Sequence, residues 1–244
     1  MSSVTWPKRV PTLSPELLDK QRQWHRFWLE HYPSRFSFVS RFTEDFLRAA
    51  GRVRSPERIL EIGPGPTSAI REIMAPADAY SCCEQDPHFC EALRKKLPDA
   101  QVICADIQVR LPIDDHSFDR IVAAHLLEHL PNLPAALEEV TRLLHPGGAF
   151  DVVIPCEGSP LYTLGRLFSS ARTFRKHFGS GFFEMMRVEH VNTAREIISE
   201  LRTRFVVEFE RYYPVPSRRF GASLNLLAGV RLRNRQQSGI PGRG

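Results

Sequence analysis

The sequence predicts an α/β fold built on a doubly wound, mostly parallel seven-stranded sheet with an antiparallel last strand. From Ser55 onward short apolar runs alternate with helical stretches, and the final two apolar runs have no helix between them. A parallel partner is reached only through a crossover, and right-handed crossovers put helices on both faces of the sheet. Two strands with no intervening helix must pair antiparallel.

The first 55 residues are helical in their periodicity. Ser14-Pro15-Glu16 supplies an N-cap, a proline at the first helical position and a first-turn acid, with Leu17, Trp24 and Trp28 on one face. Tyr32-Pro33 is expected to break this helix. Val39, Phe42, Phe46 and Ala49 form a second stripe, closed by Gly51 as C-cap. Their aromatics read as core or lid packing.

Strands are predicted over 58–62, 79–84, 101–105, 118–124 and 149–155, with helices over 68–74, 87–97 and 134–144. Asp86-Pro87 is the N-cap and first residue of the second of these helices, and Gly147-Gly148 is expected to break the chain after the third. Residues 156–190 show little clean periodicity and read as an insertion or lid. Thr193 and Glu196 form a capping box that opens a helix to about Thr203. Strands over 205–211 and 225–233 follow, joined through Pro214 and Pro216. The organisation is one domain over 1–235: a helical cap (1–55), a core (56–155), a lid (156–191) and a closing helix and strand pair (192–235). The polar tail 236–244 is expected to be disordered.

Composition excludes other classes. With 244 residues, 42% hydrophobic and 25% charged, the chain is neither a disordered segment, a collagen-like repeat nor a disulfide mini-protein. No apolar run reaches the roughly 18 residues of a membrane span, and the start lacks a basic segment followed by an apolar one. A cytoplasmic location is the expectation. Five cysteines without a C-x-x-C pair suggest buried thiols, with no metal site and no disulfide framework. Net charge is +5 over 1–55, −8 over 56–154 and +8 over 155–244. Basic flanks around an acidic middle fit an anionic partner, such as a phosphate-bearing substrate or a membrane surface, as well as plain solvated surface.

The strongest local signal is Glu61-Ile62-Gly63-Pro64-Gly65, where the first strand turns toward the first crossover helix. Ligands of open α/β sheets bind at the carboxyl ends of strands, and glycines there let backbone approach the ligand. Glu84 ends the second strand, where a carboxylate can accept from two vicinal ribose hydroxyls. A dinucleotide fingerprint would need glycine at position 68, which is Ser68. That weighs against an NAD-type oxidoreductase and suits a cofactor without a pyrophosphate, S-adenosylmethionine (SAM).

Leu60-Glu61-Ile62-Gly63-Pro64-Gly65, Glu84, Cys104-Ala105-Asp106-Ile107, Leu111-Pro112 with Ser117-Phe118-Asp119, His125 to Leu130 and His145-Pro146-Gly147-Gly148 together resemble the ordered motif series of class I SAM-dependent methyltransferases, particularly the quinone-biosynthesis-like group. The resemblance covers 57–155 well and the final strands more loosely. It implies a Rossmann-like fold with the seventh strand inserted beside the sixth. It also implies that Glu61, Gly63 and Gly65 hold the methionine part, Glu84 with Gln85 the ribose, and Asp106 with Ile107 the adenine. His125 would border the methyl donor. Thr67 departs from the third glycine of many members and could cap the helix instead.

In-line methyl transfer needs alignment, and a base only if the acceptor must lose a proton. His125 and His190 are the catalytic candidates, with His129 a third and Glu128 and Asn192 weaker ones. The acceptor is expected to be a small-molecule, glycan-precursor or lipid-linked compound, neutral or anionic, methylated on oxygen or nitrogen. Arg166, Arg172, Arg175 and Lys176 alternate with Tyr162, Phe168, Phe174 and Phe178 in the lid stretch, a pattern that can cover an apolar body and bind an anion. Peripheral membrane contact is compatible with this pattern. Nucleic acid is a rival acceptor on charge alone, without a motif. A SAM-binding partner subunit without catalysis is the non-enzyme alternative.

Overall fold

The computed structural model describes residues 4–35, 37–51, 53, 57–66, 68 and 79–234. The expected helix over 69–74, the Thr67 cap and the tail 236–244 lie outside the described residues. Within the described residues, the strands are β1 (Arg58–Ile62), β2 (Ala79–Glu84), β3 (Gln101–Cys104), β4 (Phe118–Ala124), β5 (Leu144–Pro155), β6 (Phe205–Tyr213) and β7 (Leu227–Asn234). They form one sheet in the order β3-β2-β1-β4-β5-β7-β6. Strands β1 to β5 pair in parallel, and β7 is antiparallel to both β5 and β6. Sequence order and handedness thus place the carboxyl ends of β1, β2 and β4 side by side.

Strand β5 begins five residues before the expected start, which corrects the reading of Gly147-Gly148 as a chain break. Its pairing with β4 steps from Phe118↔Leu144 to Arg120↔Ala149, so residues 145–148 bulge from the ladder. Gly147 has φ +78°, and a Cβ on Gly148 would lie 2.8 Å from the His145 carbonyl oxygen. Both glycines serve the bulge.

Helices cover both faces. On one face α4 (Leu133–Leu143) and α8 (Ala194–Arg204) bury Leu137, Val140, Ile197 and Leu201 against Ile121, Val152 and Leu232. Helix α8 carries the expected capping box between Thr193 and Glu196. On the other face α2 (Ser37–Ala50) buries Phe42, Phe46 and Leu47 over Val122 and Val153, beside α3 (Pro87–Lys96), which Asp86 caps at the His88 N–H. Gly229 on β7 gives Phe46 its seat, since a Cβ there would lie 2.5 Å from the ring. The end of α2 is bolted to the sheet by buried charge. Arg120 donates to Asp151 at 2.5 Å and to the Gly51 and Leu47 carbonyls at 2.7 and 3.3 Å, while Arg231 donates to the Ala50 carbonyl. The last carbonyls of a helix lack intrahelical partners, and these guanidinium groups satisfy them.

Helix α2 is therefore a layer of the sheet, which corrects the expectation of one cap over 1–55. Helix α1 (Pro15–Arg35) behaves differently. Its first turn is capped by Ser14 and it runs through Pro33, so the expected break at Tyr32-Pro33 is absent; a proline in the last turn forfeits only one intrahelical bond there. Leu17 and Trp24 pack away from the sheet, against Phe174, Phe182 and Met185. Phe174 belongs to α6 (Ser170–Phe178) and Phe182 and Met185 to α7 (Phe182–Glu189), two of the three short lid helices that begin with α5 (Pro160–Phe168). Helices of 8 or 9 residues are too short to repeat an apolar stripe, which is why 156–190 lack periodicity. All five cysteines are unbridged, and Cys104 is exposed, a correction to the expectation of buried thiols throughout.

Candidate active site

The glycine turn follows β1. Gly63 and Gly65 adopt φ +67° and +65°, a region that costs a residue with a Cβ about 1 kcal/mol or more. At Gly63 a Cβ would strike Leu126 Cδ1 at 2.5 Å; at Gly65 it would meet open space within 4 Å. The Gly65 N–H donates to Glu84 Oε2 at 3.0 Å, and the Asp86 N–H donates to Glu84 Oε1 at 3.0 Å. Glu84 is thus fixed at the carboxyl end of β2, each oxygen retaining a lone pair for a ligand hydroxyl.

Glu61 lies beneath the turn. It is buried and accepts from the Ser68 and Tyr80 hydroxyls. Burial pushes its carboxyl up to about 7, against the pull of those two donors. Its contacts make it an anchor of the turn through Ser68. Asp106, after β3, accepts from the Gln108 N–H at 2.9 Å and from its side-chain amide. Ile107 is buried in the sheet's core, and Gln85 is exposed.

His125 follows β4 with φ +55°, a conformation a non-glycine residue seldom takes. Its N–H donates to the Val153 carbonyl at 2.8 Å, which holds the strain, and the next residue, Leu126, touches Gly63. The Thr43 hydroxyl donates its proton to the Val39 carbonyl at 3.0 Å. The 3.4 Å contact between Thr43 Oγ1 and His125 Nε2 therefore has the imidazole as donor, leaving Nδ1 as the basic atom. Nδ1 stands 4.0 Å from Glu128 Oε1. His129 Nε2 is 3.8 Å from the same oxygen, and its Nδ1 donates to the Glu189 carbonyl at 2.8 Å. Burial lowers both imidazoles below the usual histidine range. The same burial favours the neutral form of each ring.

His190 Nδ1 donates to Glu157 Oε2 at 2.8 Å, and its ring meets His129 edge-on. Burial pulls Glu157 upward, but His190 and Arg166 outweigh it and hold the carboxyl below the usual range. Asn192 is buried and donates to the Leu127 and Leu130 carbonyls, a role in shaping the 127–129 turn.

A cavity of about 1000 Å³ opens above His125, Glu128, His129 and His190. Trp24, Phe27 and Trp28 of α1 and Phe182 and Met186 of α7 wall it, and Arg172 and Lys176 of α6 edge it. The structure brings His125 and His190 to one cavity, with the glycine turn and Glu84 behind Leu126. Sequence reasoning underweighted Glu128 and missed Glu157. The only signal for Glu128 was its place three residues after His125, and for Glu157 there was none.

Residues 60–152 match the family model of a methyltransferase domain. A probable phthiotriol/phenolphthiotriol dimycocerosates methyltransferase 2 of Mycobacterium ulcerans is 33% identical over 110 residues, 42% of this chain and 42% of that protein. Ribosomal RNA small subunit methyltransferase A of Chlorobium luteolum is 36% identical over 89 residues, 36% of this chain and 30% of that protein. The chain spans less than half the length of these curated relatives. The N-methyltransferase NodS from Bradyrhizobium japonicum, solved with S-adenosyl-L-homocysteine, superposes with TM-score 0.61 over 91% of this chain and 100% of that one, at 17% identity, a likeness of fold. Residues 60–152 are thus a methyltransferase domain, set in a fold like that of a SAM-dependent N-methyltransferase. The two curated relatives carry names with acceptors of different kinds, so they select the class and not the quinone-biosynthesis-like group.

Proposed function

We propose that this protein methylates an oxygen or nitrogen of a small, largely apolar acceptor held between α1 and the lid helices. The observation that carries the reading is His125, which lines the acceptor cavity while its neighbour Leu126 packs on Gly63. The residues fit the cofactor: open space at Gly65 admits a ligand where a Cβ would intrude, and Glu84 retains acceptor capacity beside it. Glu84 and Gln85 are assigned to the ribose, Asp106 and Ile107 to the base, and Gly63 and Gly65 to the methionine part, with Glu61 anchoring that turn. When bound, the cofactor supplies a methyl group activated on a sulfonium.

The chain's own residues then do three things. The aromatic walls exclude water and align the acceptor. His125 Nδ1 takes the proton that an attacking hydroxyl or amine must lose, and Glu128 stabilises the resulting imidazolium across 4.0 Å. His190, tied to Glu157, positions His129 and the floor of the cavity. The test is calorimetric titration with S-adenosylhomocysteine, where Glu84→Ala should lose binding, followed by turnover of His125→Gln. Retained cofactor binding with kcat reduced about 100-fold fits general-base use. Unchanged kcat would remove the base and leave alignment alone.

A lipid-linked acceptor is favoured by one feature. Leu164, Leu167 and Phe168 form an exposed face of α5, and Phe168, 77% exposed, also edges the cavity near Arg172 and Lys176. No helix among the described residues is long and apolar enough to cross a membrane. Co-sedimentation with phosphatidylglycerol vesicles, lost in Phe168→Ser, tests this narrower reading; equal binding to phosphatidylcholine, or none, removes it.

A further inference from the structure

The cysteines take no part in the chemistry proposed above, yet two of them stand together. Cys90, the fourth residue of α3, is fully buried, while Cys104 ends the edge strand β3 and is exposed. Their sulfurs are 2.6 Å apart. A disulfide bond measures about 2.05 Å, so joining them asks for less than about 1 Å of movement. The neighbouring Cys83 Sγ donates to the Ala105 carbonyl at 3.4 Å, and Cys82 and Cys156 are buried.

The two thiols differ in reactivity. A reagent can reach Cys104 from solvent. Cys90 has no exposed surface, and its S–H also lies 3.2 Å from the Glu84 carbonyl. Burial, with the adjoining Cys104 sulfur, pushes the Cys90 thiol up and keeps it protonated. Since the thiolate is the nucleophile, Cys104 reacts first. Contact then favours Cys90 as the second reactant, because that step is intramolecular.

We propose that Cys90 and Cys104 form a thiol–disulfide modification site that clips α3 to β3 in the presence of a small-molecule disulfide. The Cys104 sulfur attacks the small disulfide and breaks its S–S bond. One half leaves and takes up the Cys104 proton; the other half stays on Cys104 as a mixed disulfide. The Cys90 sulfur then attacks the Cys104 sulfur, and the second half departs as a thiol carrying the Cys90 proton. In total the two protein thiols lose two electrons and two protons, and the small disulfide is reduced to two thiols. The clip closes a loop of 15 residues, counting both cysteines, and Glu84 stands opposite Cys104 in the β2–β3 register. Exposure of Cys104 leaves the bond open to reduction, so the site is reversible.

The test incubates the reduced full chain with oxidised glutathione, blocks the remaining thiols and reads intact mass, peptide maps and Tm. The unaltered chain should lose about 2 Da, with Cys90 linked to Cys104 and the other three cysteines free. Its Tm should rise by about 5 °C or more and fall back on reduction, since the cross-link constrains the unfolded chain. Cys90→Ser should stop with glutathione attached to Cys104, and Cys104→Ser should not react. A stable glutathione adduct on the unaltered chain, no reaction, a link through another pair, or a Tm that does not rise overturns the proposal. Should Cys90→Ser fail to fold, the exposed position carries the test: oxidation that persists in Cys104→Ser overturns it equally.

Discussion

The glycine-turn end and the cavity end of this molecule are built by different means. The glycine-turn end uses backbone: two glycines at positive φ, a carboxylate held by two N–H groups, and strand ends packed in the sheet. The cavity end uses side chains from α1 and the lid, joined in an aromatic cluster that includes no strand residue among those described. Trp24 alone meets Phe27, Trp28, Phe174, Phe178 and Phe182 with ring centres 5.3 to 6.1 Å apart. The domain thus divides into a sheet that carries the glycine turn and Glu84 and a separate layer that walls the cavity, the kind of division that lets sites be grafted onto a fold.

The comparison breaks most severely through the sheet. Asp151 is fully buried between Arg120 and Arg231, and removing it leaves the buried Arg120 without its counter-charge and Arg231 with Glu208 alone. Asp151→Ala should cost about 3–5 kcal/mol of stability, read by chemical denaturation. Because the network also holds the end of α2, cofactor and acceptor binding should fall together. Loss of acceptor binding alone would show that the sheet is less central than its burial indicates.

Trp24→Ala attacks the other layer. A buried aromatic replaced by alanine costs about 3–5 kcal/mol where the surroundings cannot collapse. Here the loss should stay within the lid. S-adenosylhomocysteine affinity should remain within about twofold while acceptor KM rises about tenfold or more. Equal losses of both would show that the two layers unfold as one.

Glu61 sharpens the comparison through pH. Its folded carboxyl is raised to about 7 by burial, so between its unfolded value of 4.5 and 7 the folded chain binds more protons than the unfolded one. Stability from this group is therefore present below 4.5 and is lost as pH rises to 7, by about 3 kcal/mol at most. Relative to the native chain, Glu61→Gln should gain stability from pH 5 to 7 and hold that gain at pH 8. A difference that stays flat with pH would place the charge elsewhere.

What the sequence revealed follows the same division. The glycine turn, Glu84 and β1, β2 and β4 were legible because short-range chemistry dictates them: a positive φ, a strand end, an apolar run between two turns. Helix α3 was legible through Asp86-Pro87, and α8 through its capping box. The cavity was not, because Trp24, Glu128 and Arg166 meet only after three chain segments converge, and no local spacing encodes that. The single cap expected over 1–55 failed for the same reason. The stripes of α1 and α2 look alike in sequence, and only Gly229 and the Arg120 network decide which of them covers the sheet. Glu61 was readable as a site residue but not as an anchor, since its partners Ser68 and Tyr80 lie 7 and 19 positions away.

The smallest effect discriminates within the lid itself. Arg172 and Arg175 both lie on α6 and look equivalent in the alternating pattern, yet only Arg172 reaches the cavity wall. Arg175 is exposed. A lone exposed cation contributes little to binding, with screening by salt reducing it further, whereas a cation at the rim of a low-dielectric cavity acts on the ligand directly. Arg172→Ala should raise acceptor KM about three- to tenfold at low salt, with kcat nearly unchanged, and Arg175→Ala should change KM by less than about twofold. Equal effects from the two would mean that the acceptor is drawn in by the summed charge of α6 and not by the one cation placed at the cavity wall.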